Sequence, residues 1–476
     1  MHVFGTLRRG GTWQPALALA GPAVAQQALV LIVNFTGRWI VGHSSAPTAA
    51  DQLALQGAQT TCLYLAWMLG SCGVLATAGA TALVARLVGA GARAEANRVL
   101  HQAILVAAAV ALGGWLLLAI GIDPLLAMLR LDGTAATYAR GFLQPLLLLL
   151  PFQLLSATLT AALAGAGDTR TPLAIAVGVT AAAVPLAWAG FHGLGTWPIV
   201  GTLPGLGLAG IAWGTGLAQA GGAVALMLLL ARGRSGLKLS WRLLWPDRAR
   251  LGRLLHVSLP AAAESLAMVA GQMMFLSVVN GLGDAARGAH GIALGWESLA
   301  ELFGLAFGVA AAVLVGQNLG AGRPVEARRS GLVAFLAGGG LMTLGGIVFF
   351  TFARPLFELY CPRPEQAAVV AAGVPVLRLV AFAMPALAAC HIFSSGLRGA
   401  GDTRGPLFIT AVGFFGVRLP LTFLACEPVV RLPLGWTLPG LGLGLYGCWL
   451  AMQADLWVRG GLFAWRFAAG RWLPAV

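Results

Sequence analysis

Twelve predominantly apolar stretches, each about 20 residues or longer, recur from one end of the chain to the other, and nothing else restricts its fold so strongly. A helix needs roughly 20 apolar residues to cross the hydrocarbon core of a bilayer. Within that core every backbone donor and acceptor must find an internal partner, which leaves the helix as the natural spanning element. The predicted spans are 15–42, 53–79, 97–121, 138–164, 171–191 and 207–231, then 258–281, 288–316, 331–353, 367–395, 406–426 and 441–468. Only 10% of the 476 residues are charged, whereas a soluble domain carries roughly 25%. Lipid must therefore be the solvent for most of the chain, and an all-α polytopic membrane protein is expected.

The charges that remain are informative. The net charge is +14, but the basic residues lie between apolar stretches rather than along one face, and there is no aromatic-and-basic patch of the sort that stacks bases. That distribution argues against a nucleic-acid partner and follows the rule that Arg and Lys mark cytoplasmic loops. Arg86, Arg93, Arg98, Arg170, Arg323, Arg328, Arg329, Arg398 and Arg404 fall after even-numbered spans, as does the basic segment that follows the sixth span. Fewer (Arg130, Arg140, Arg287, Arg354, Arg363, Arg431) fall on the opposite side, so both termini are expected in the cytoplasm of a cell whose inner membrane holds the protein. Residues 232–257, with seven basic side chains plus Trp241 and Trp245, read as a linker lying on the inner membrane surface. Arg8, Arg9 and Ala23-Val24-Ala25 resemble a signal peptide, but the apolar run continues to Val41, so a retained first helix is expected. The six Cys show no ligand spacing; neither a disulfide framework nor a metal site is expected.

The two halves repeat. Leu163-Ala-Gly-Ala-Gly-Asp-Thr-Arg-Thr-Pro-Leu173 matches Leu397-Arg-Gly-Ala-Gly-Asp-Thr-Arg-Gly-Pro-Leu407, and Leu203-Pro-Gly-Leu-Gly-Leu208 matches Leu438-Pro-Gly-Leu-Gly-Leu443. Pro22-Ala-x-Ala-Gln26 matches Pro260-Ala-x-Ala-Glu264, Pro185-Leu186 matches Pro420-Leu421, and Leu87–Gly91 matches Leu319–Gly322. All five pairs keep their order at an offset of 231–238. Six spans per half return the chain to the same side, so the repeats are parallel. The domains expected are an N-lobe (1–231), a basic linker (232–257) and a C-lobe (258–476), arranged around a central cleft that opens by rocking.

These motifs resemble the multidrug and toxic compound extrusion (MATE) family, prokaryotic branch. The resemblance rests on the L-x-G-A-G-D-T-x-x-P loop in both halves, on Glu297-Ser-Leu299 through Val315-Gly-Gln-Asn-Leu-Gly-Ala-Gly322, and on Val417-Arg-Leu-Pro-Leu421. It covers essentially the whole chain. It implies twelve helices in two lobes and export driven by an inward H+ or Na+ gradient, without a cofactor. Some family features are missing. Asn34 and Gly42 fit a first-helix pattern whose acid position reads Gly37 here, Ala183 and Ala187 stand where fifth-helix Asn residues are usual, and the turn near Leu387 is apolar.

Coupling needs a side chain that can load and release a cation inside the membrane. A charge there costs roughly 2.5–3.5 kcal/mol even on insertion scales, so such residues mark ion pathways. Only Glu264, Glu297, Glu301 and Asp455 fall well inside apolar spans. Glu264 is the first candidate for cation coupling: it follows Pro260 by one turn, where the backbone ladder is weakened. Its repeat partner is Gln26, isosteric but not titratable. Glu297 and Glu301 share a helix face four residues apart. Arg38, Arg378 and Arg418 lie within spans, with Glu297 or Glu264 as expected partners for Arg418. Gln26, Asn34, Arg38, His391, Arg418 and Asp455 are the candidate substrate-cleft residues. Trp67, Trp213, Trp296, Trp449, Phe303 and Phe307 are candidates for an aromatic pocket. Asp168 and Asp402 read as helix caps assisted by Thr169 and Thr403.

The reading is a secondary antiporter for small organic, often cationic and aromatic compounds, with membrane lipid as its surroundings and no obligatory protein partner. The alternative is a flippase for a lipid-linked oligosaccharide, whose cavity would be more basic. A channel would need a continuous polar lining, a scaffold has no use for a buried Glu264, and no catalytic pair, zinc motif or nucleotide fold suggests an enzyme.

Overall fold

The structure, a computed structural model, describes residues 13–44, 49–123, 126, 133–197, 201–427, 429–431 and 437–473. Arg130 and Asp132 lie outside the described residues. Helices α1 (Trp13–His43), α2 (Ala49–Cys72), α3 (Val74–Gly89), α4 (Arg93–Ile120), α5 (Gly133–Gly165) and α6 (Arg170–His192) come first. A hairpin of β1 (Gly193–Trp197) and β2 (Gly201–Pro204) leads to α7 (Leu208–Ala231). Then come α8 (Arg248–Asn280), α9 (Asp284–Gly320), α10 (Pro324–Thr351), the short α11 (Ala353–Tyr360) and α12 (Ala367–Gly399). Helix α13 (Arg404–Ala411) runs through a π-helical stretch, Val412–Arg418, into α14 (Leu419–Cys426). A second hairpin, β3 (Val429–Arg431) with β4 (Thr437–Pro439), precedes α15 (Gly444–Ala469).

Among the described residues, ten helices are long and apolar enough to cross a membrane, the α13–α14 run counted as one. An eleventh span, predicted as one helix over 53–79, is bent by 43° where α2 meets α3. The break falls at Gly73, whose backbone N–H turns back to the Gly70 carbonyl at 2.9 Å. The predicted span 441–468 falls on α15, 26 residues long, which carries Asp455, Arg459 and Arg466. The predicted spans thus correspond one to one with these helices.

The chain divides into two compact units, one of Ala25–Ser258 and one of Met1–Val24 with Leu259–Val476. The divisions fall inside α1 and inside α8, next to Pro22 and Pro260. Residues 232–257, expected as a separate linker, belong to the first unit. In that unit α7 packs on α5 and α6, and α5 on α3 and α4, around Leu100, Leu143, Leu159, Leu163 and Leu230. In the other, α9 and α12 pack along each other and along α10, while α15 packs on α12. Phe357, Phe463, Phe467 and Trp449 fill its centre.

The repeated Gly-Ala-Gly-Asp-Thr loops show why the sequence keeps them. A Cβ on Gly165 would come within 2.8 Å of the Thr81 carbonyl of α3, and one on Gly399 would run into the backbone of Ala312 in α9. The first glycine thus lets two helices touch backbone to backbone, as membrane interfaces favour. The second, Gly167 or Gly401, turns the chain at φ +88° in both loops, where a side chain would strain. Asp168 Oδ1 accepts the Thr171 N–H at 2.9 Å, and Asp402 Oδ1 accepts the Gly405 N–H at 3.1 Å. The aspartates therefore cap α6 and α13 as expected. Thr169 and Thr403 make no capping bond. Each aspartate also holds an arginine from beyond the last helix of its repeat or near its end: Arg234 Nε lies 3.4 Å from Asp168, and Arg466 donates to both oxygens of Asp402.

Candidate functional site

Helical periodicity builds the first part of the site. His290, Glu297 and Glu301 lie seven and four residues apart on α9, which puts them in one stripe along a single face. Glu297 is 8% exposed and makes no hydrogen bond or ion pair with any described residue. Glu301 faces His391 of α12, with Oε1 3.0 Å from Nε2, an ion-pair distance without hydrogen-bond alignment. His290 is 2% exposed between the rings of Phe275 and Trp449, and both of its nitrogens lack a partner.

Glu264 lies one turn beyond Pro260 in α8 and is buried. Its Oε2 accepts from Arg398 Nη1 and its Oε1 from the Thr410 hydroxyl, each at 3.1 Å. Ser394 and Ser395 accept from the other arm of Arg398. Arg398, expected in a cytoplasmic loop, is in the last turn of α12 and points back to this acid. The helix runs past the predicted span end, and the long arginine stem carries its head group inward.

Arg418 closes the π-helical stretch. Its partner is neither Glu297 nor Glu264, as the sequence suggested, but Asp455 of α15. Arg418 donates from Nε at 2.8 Å, and its Nη2 lies 2.7 Å from the same oxygen, Oδ2. Arg459, one turn beyond Asp455, donates to both carboxylate oxygens at 2.7 Å. Asp455 is fully buried, with one guanidinium on either side. The Phe414 ring lies 4.3 Å from the Arg418 guanidinium and 4.6 Å from that of Arg459. Gln272 of α8 accepts from Arg418 Nη1 at 3.0 Å. Geometry thus unites Glu264 with Arg398, Glu301 with His391, and Asp455 with Arg418, and leaves Glu297 without a partner.

The remaining candidates do not join this network. On α1, Gln26 is half-buried while Asn34 and Arg38 are exposed, the last two one turn apart. Arg378 is exposed, with its guanidinium 5.8 Å from the Phe350 ring centre. Trp449 and Phe307 are core residues rather than pocket walls, and Trp296 packs on Phe349 and Tyr360. Trp213 does line a cavity of about 390 Å³ in the first unit, with Gly141, Gln144, Pro145, Leu148 and Ala209.

Sequence reasoning missed Arg459, Arg398, Gln272, Thr410 and His290. Arg459 had a signal in its four-residue spacing from Asp455 on one helix face, and Arg398 had one in the repeat, where Ala164 replaces it and Gln26 replaces Glu264. The others meet across helices far apart in sequence.

A multi-pass helical protein with two repeated six-span halves and buried, mostly paired charges belongs to the class of membrane transporters. Residues 22–189 and 260–424 match the family model described as MatE, and the chain belongs to this family of transporters. It is 26% identical to the probable multidrug resistance protein NorM of Thermotoga maritima, over 96% of this chain and 92% of that one. It is 27% identical to the multidrug resistance protein PmpM of Pseudomonas aeruginosa, over 86% and 82%. Among solved structures, a MATE protein in complex with MaL6 superposes with a TM-score of 0.84 at 17% identity, covering 97% of this chain and 98% of that one. A MOP-superfamily transporter from Pyrococcus furiosus, described as having a binding pocket of reversed polarity, gives 0.84 at 18% identity, over 97% of each chain. The twelve-helix MATE fold is therefore that of this chain, and its relatives are transporters, not enzymes.

Proposed function

We propose that the protein exports small organic compounds from the cell in exchange for inward-moving protons, working in the inner membrane with both termini cytoplasmic. The observation that supports this most is Glu297, a buried carboxyl with no partner beside three acids that each have one. Several kcal/mol separate a buried unpaired carboxylate from a neutralised one. A moving cation is the companion such a group lacks. A proton suits it better than Na+, because a proton needs only the carboxyl itself. Glu264 and Glu301 complete the coupling set, each next to a basic side chain, Arg398 or His391, that must give way when the acid loads. For the substrate, the names of the relatives above point to drugs, and the 390 Å³ cavity beside Trp213 falls in the usual range for small-molecule pockets. Gln26, Asn34 and Arg38 are the substrate-facing candidates on α1. Arg38, Arg378 and Arg418 left an oligosaccharide flippase open as the alternative, and the lock of Arg418 on Asp455 removes that arginine from headgroup contact.

The test is uptake of a fluorescent organic cation into everted vesicles, with H+ and Na+ gradients imposed separately. Wild type should follow the H+ gradient, and Glu297→Gln should lose gradient-driven uptake while still binding the dye. Uptake driven by Na+ alone, or undiminished uptake by Glu297→Gln, would overturn the proton reading.

A further inference from the structure

Residues 232–257, the connection after α7 and the first turns of α8, hold seven cations against one acid. Such a segment would normally be a loose, self-repelling tether, yet here its backbone is pinned to the start of α4. Asn97 Oδ1 accepts the Lys238 N–H at 2.9 Å, and His101 Nε2 accepts the Ser240 N–H at 2.9 Å. Gln102 bonds twice, to the Trp245 carbonyl and the Asp247 N–H, each at 3.0 Å. His101 is fully buried and Gln102 nearly so. Buried side chains that bind only main chain fix the course of a segment without using up its own side chains.

Two of its cations are consumed: Arg234 by Asp168, and Arg250 by Glu95 and Asp247. Arg232, Lys238, Arg242 and Arg248 are exposed and have no ion pair or hydrogen bond with any described residue. Trp241 and Trp245 are each 81% exposed, more than any other large apolar side chain described. A water-soluble surface gains nothing by holding two indoles out. Indole rings settle at the headgroup level of a bilayer, and polybasic segments next to spans attract anionic lipids. The segment also lies where a bilayer surface must be, between the end of one span at Ala231 and the start of the next at Arg248.

We infer that the Arg232–Arg248 segment is a preformed seat for anionic phospholipid, with Trp241 and Trp245 at the headgroup level of the bilayer and Lys238, Arg242 and Arg248 on the phosphates. Lipid is the occupant because the free cations alternate with exposed indoles, a pattern that suits a charged surface over an oily one. A soluble phosphate would leave the indoles in water. The seat does not depend on what is transported.

Quenching of tryptophan by brominated lipid tests this in nanodiscs. The quenching owed to the seat is the difference between wild type and Trp241→Phe/Trp245→Phe. Brominated phosphatidylglycerol should quench it more strongly than brominated phosphatidylcholine at equal mole fraction. Lys238→Gln/Arg242→Gln/Arg248→Gln should greatly reduce that preference, since each charge near an anionic surface is worth about fivefold in association and only Arg232 of the four free cations remains. These three side chains are exposed and unpaired, so the variant should keep the wild-type melting profile. Equal quenching by both lipids, an unchanged preference in the triple variant, or no quenching of the two indoles would each overturn the inference.

Discussion

Asp455→Asn should be among the most damaging isosteric substitutions in the chain. The carboxylate is fully buried and two guanidiniums, 4% and 7% exposed, close on its oxygens at 2.7–2.8 Å. The amide keeps the volume but removes the charge, leaving Arg418 and Arg459 facing each other across Phe414 without a counter-ion. Removing one member of a buried pair costs about 3–5 kcal/mol. Arg459→Gln should cost less, roughly 1.5–3 kcal/mol for the lost charge-assisted bonds, because Arg418 still neutralises Asp455. The double variant Asp455→Asn/Arg459→Gln strands only one cation. Its cost should therefore fall short of the sum by about 1–3 kcal/mol, the usual coupling between groups in one network. Unfolding in mixed micelles, titrated with denaturing detergent, measures all three. An additive double variant, or a cost for Asp455→Asn below about 1 kcal/mol, would refute the account of this cluster.

Gly399→Ala forces a methyl into the Ala312 backbone and should cost about 1–3 kcal/mol as overpacking, read as a lower melting temperature, whereas Gly340→Ala, with open space around it, should not. Asp402→Ala should lower the melting temperature more than Asp168→Ala, because Arg466 is 31% exposed and donates twice while Arg234 is 54% exposed and more distant. Burial pushes the Asp168 carboxyl up, but bonds from Ser235 and Thr171 and the Arg234 charge together hold it below the usual range. An acid lowered on folding stabilises above its unfolded value and loses that contribution as pH falls through its folded value. The stability gap between wild type and Asp168→Asn should therefore be constant from pH 7 to about 5 and close only below about pH 4, where Asp is ordinarily half-protonated.

Much of the fold was legible because lipid imposes it. Apolar runs of spanning length gave every long helix, though not the short α11, and the repeated loops gave the two halves, since the same pair of glycines and the same capping aspartate solve the same turn twice. The break at Gly73 was not readable, because a glycine inside an apolar run looks the same whether its helix bends or not. The two hairpins were hidden for a related reason: Leu-Pro-Gly-Leu-Gly-Leu was recognised as a repeat but carries no alternation that marks strands. The site was half legible. Buried acids stand out against an apolar background, so Glu264, Glu297, Glu301 and Asp455 were found. Their partners were not, because pairing is decided by which helix faces meet, across separations from 37 residues for Arg418 and Asp455 to 134 for Glu264 and Arg398. Arg418 illustrates this: the sequence pointed to Glu297 or Glu264, and the packing of α15 against the π-helical stretch selects Asp455 instead.

One partnership was written in the sequence all along. In the second repeat Glu264 pairs with Arg398; in the first, the matching positions are Gln26 and Ala164, so acid and base are both replaced. A lone Glu264 would be a buried charge without a counter-ion, whereas Arg398 is partly exposed and would be stranded less severely. This makes the pair separable from its function. Arg398→Ala should be strongly destabilising, by about 3–5 kcal/mol, because it strands Glu264. Glu264→Gln/Arg398→Ala copies the first repeat's solution and should recover most of that loss. If Glu264 only braces α8 against α12, the recovered double variant will also keep proton-driven export. If Glu264 belongs to the coupling set, as proposed above, the double variant will fold, bind the organic cation and fail to move it along the H+ gradient. Wild-type export by a stable double variant would remove Glu264 from the set and leave Glu297 as the acid that must do the work.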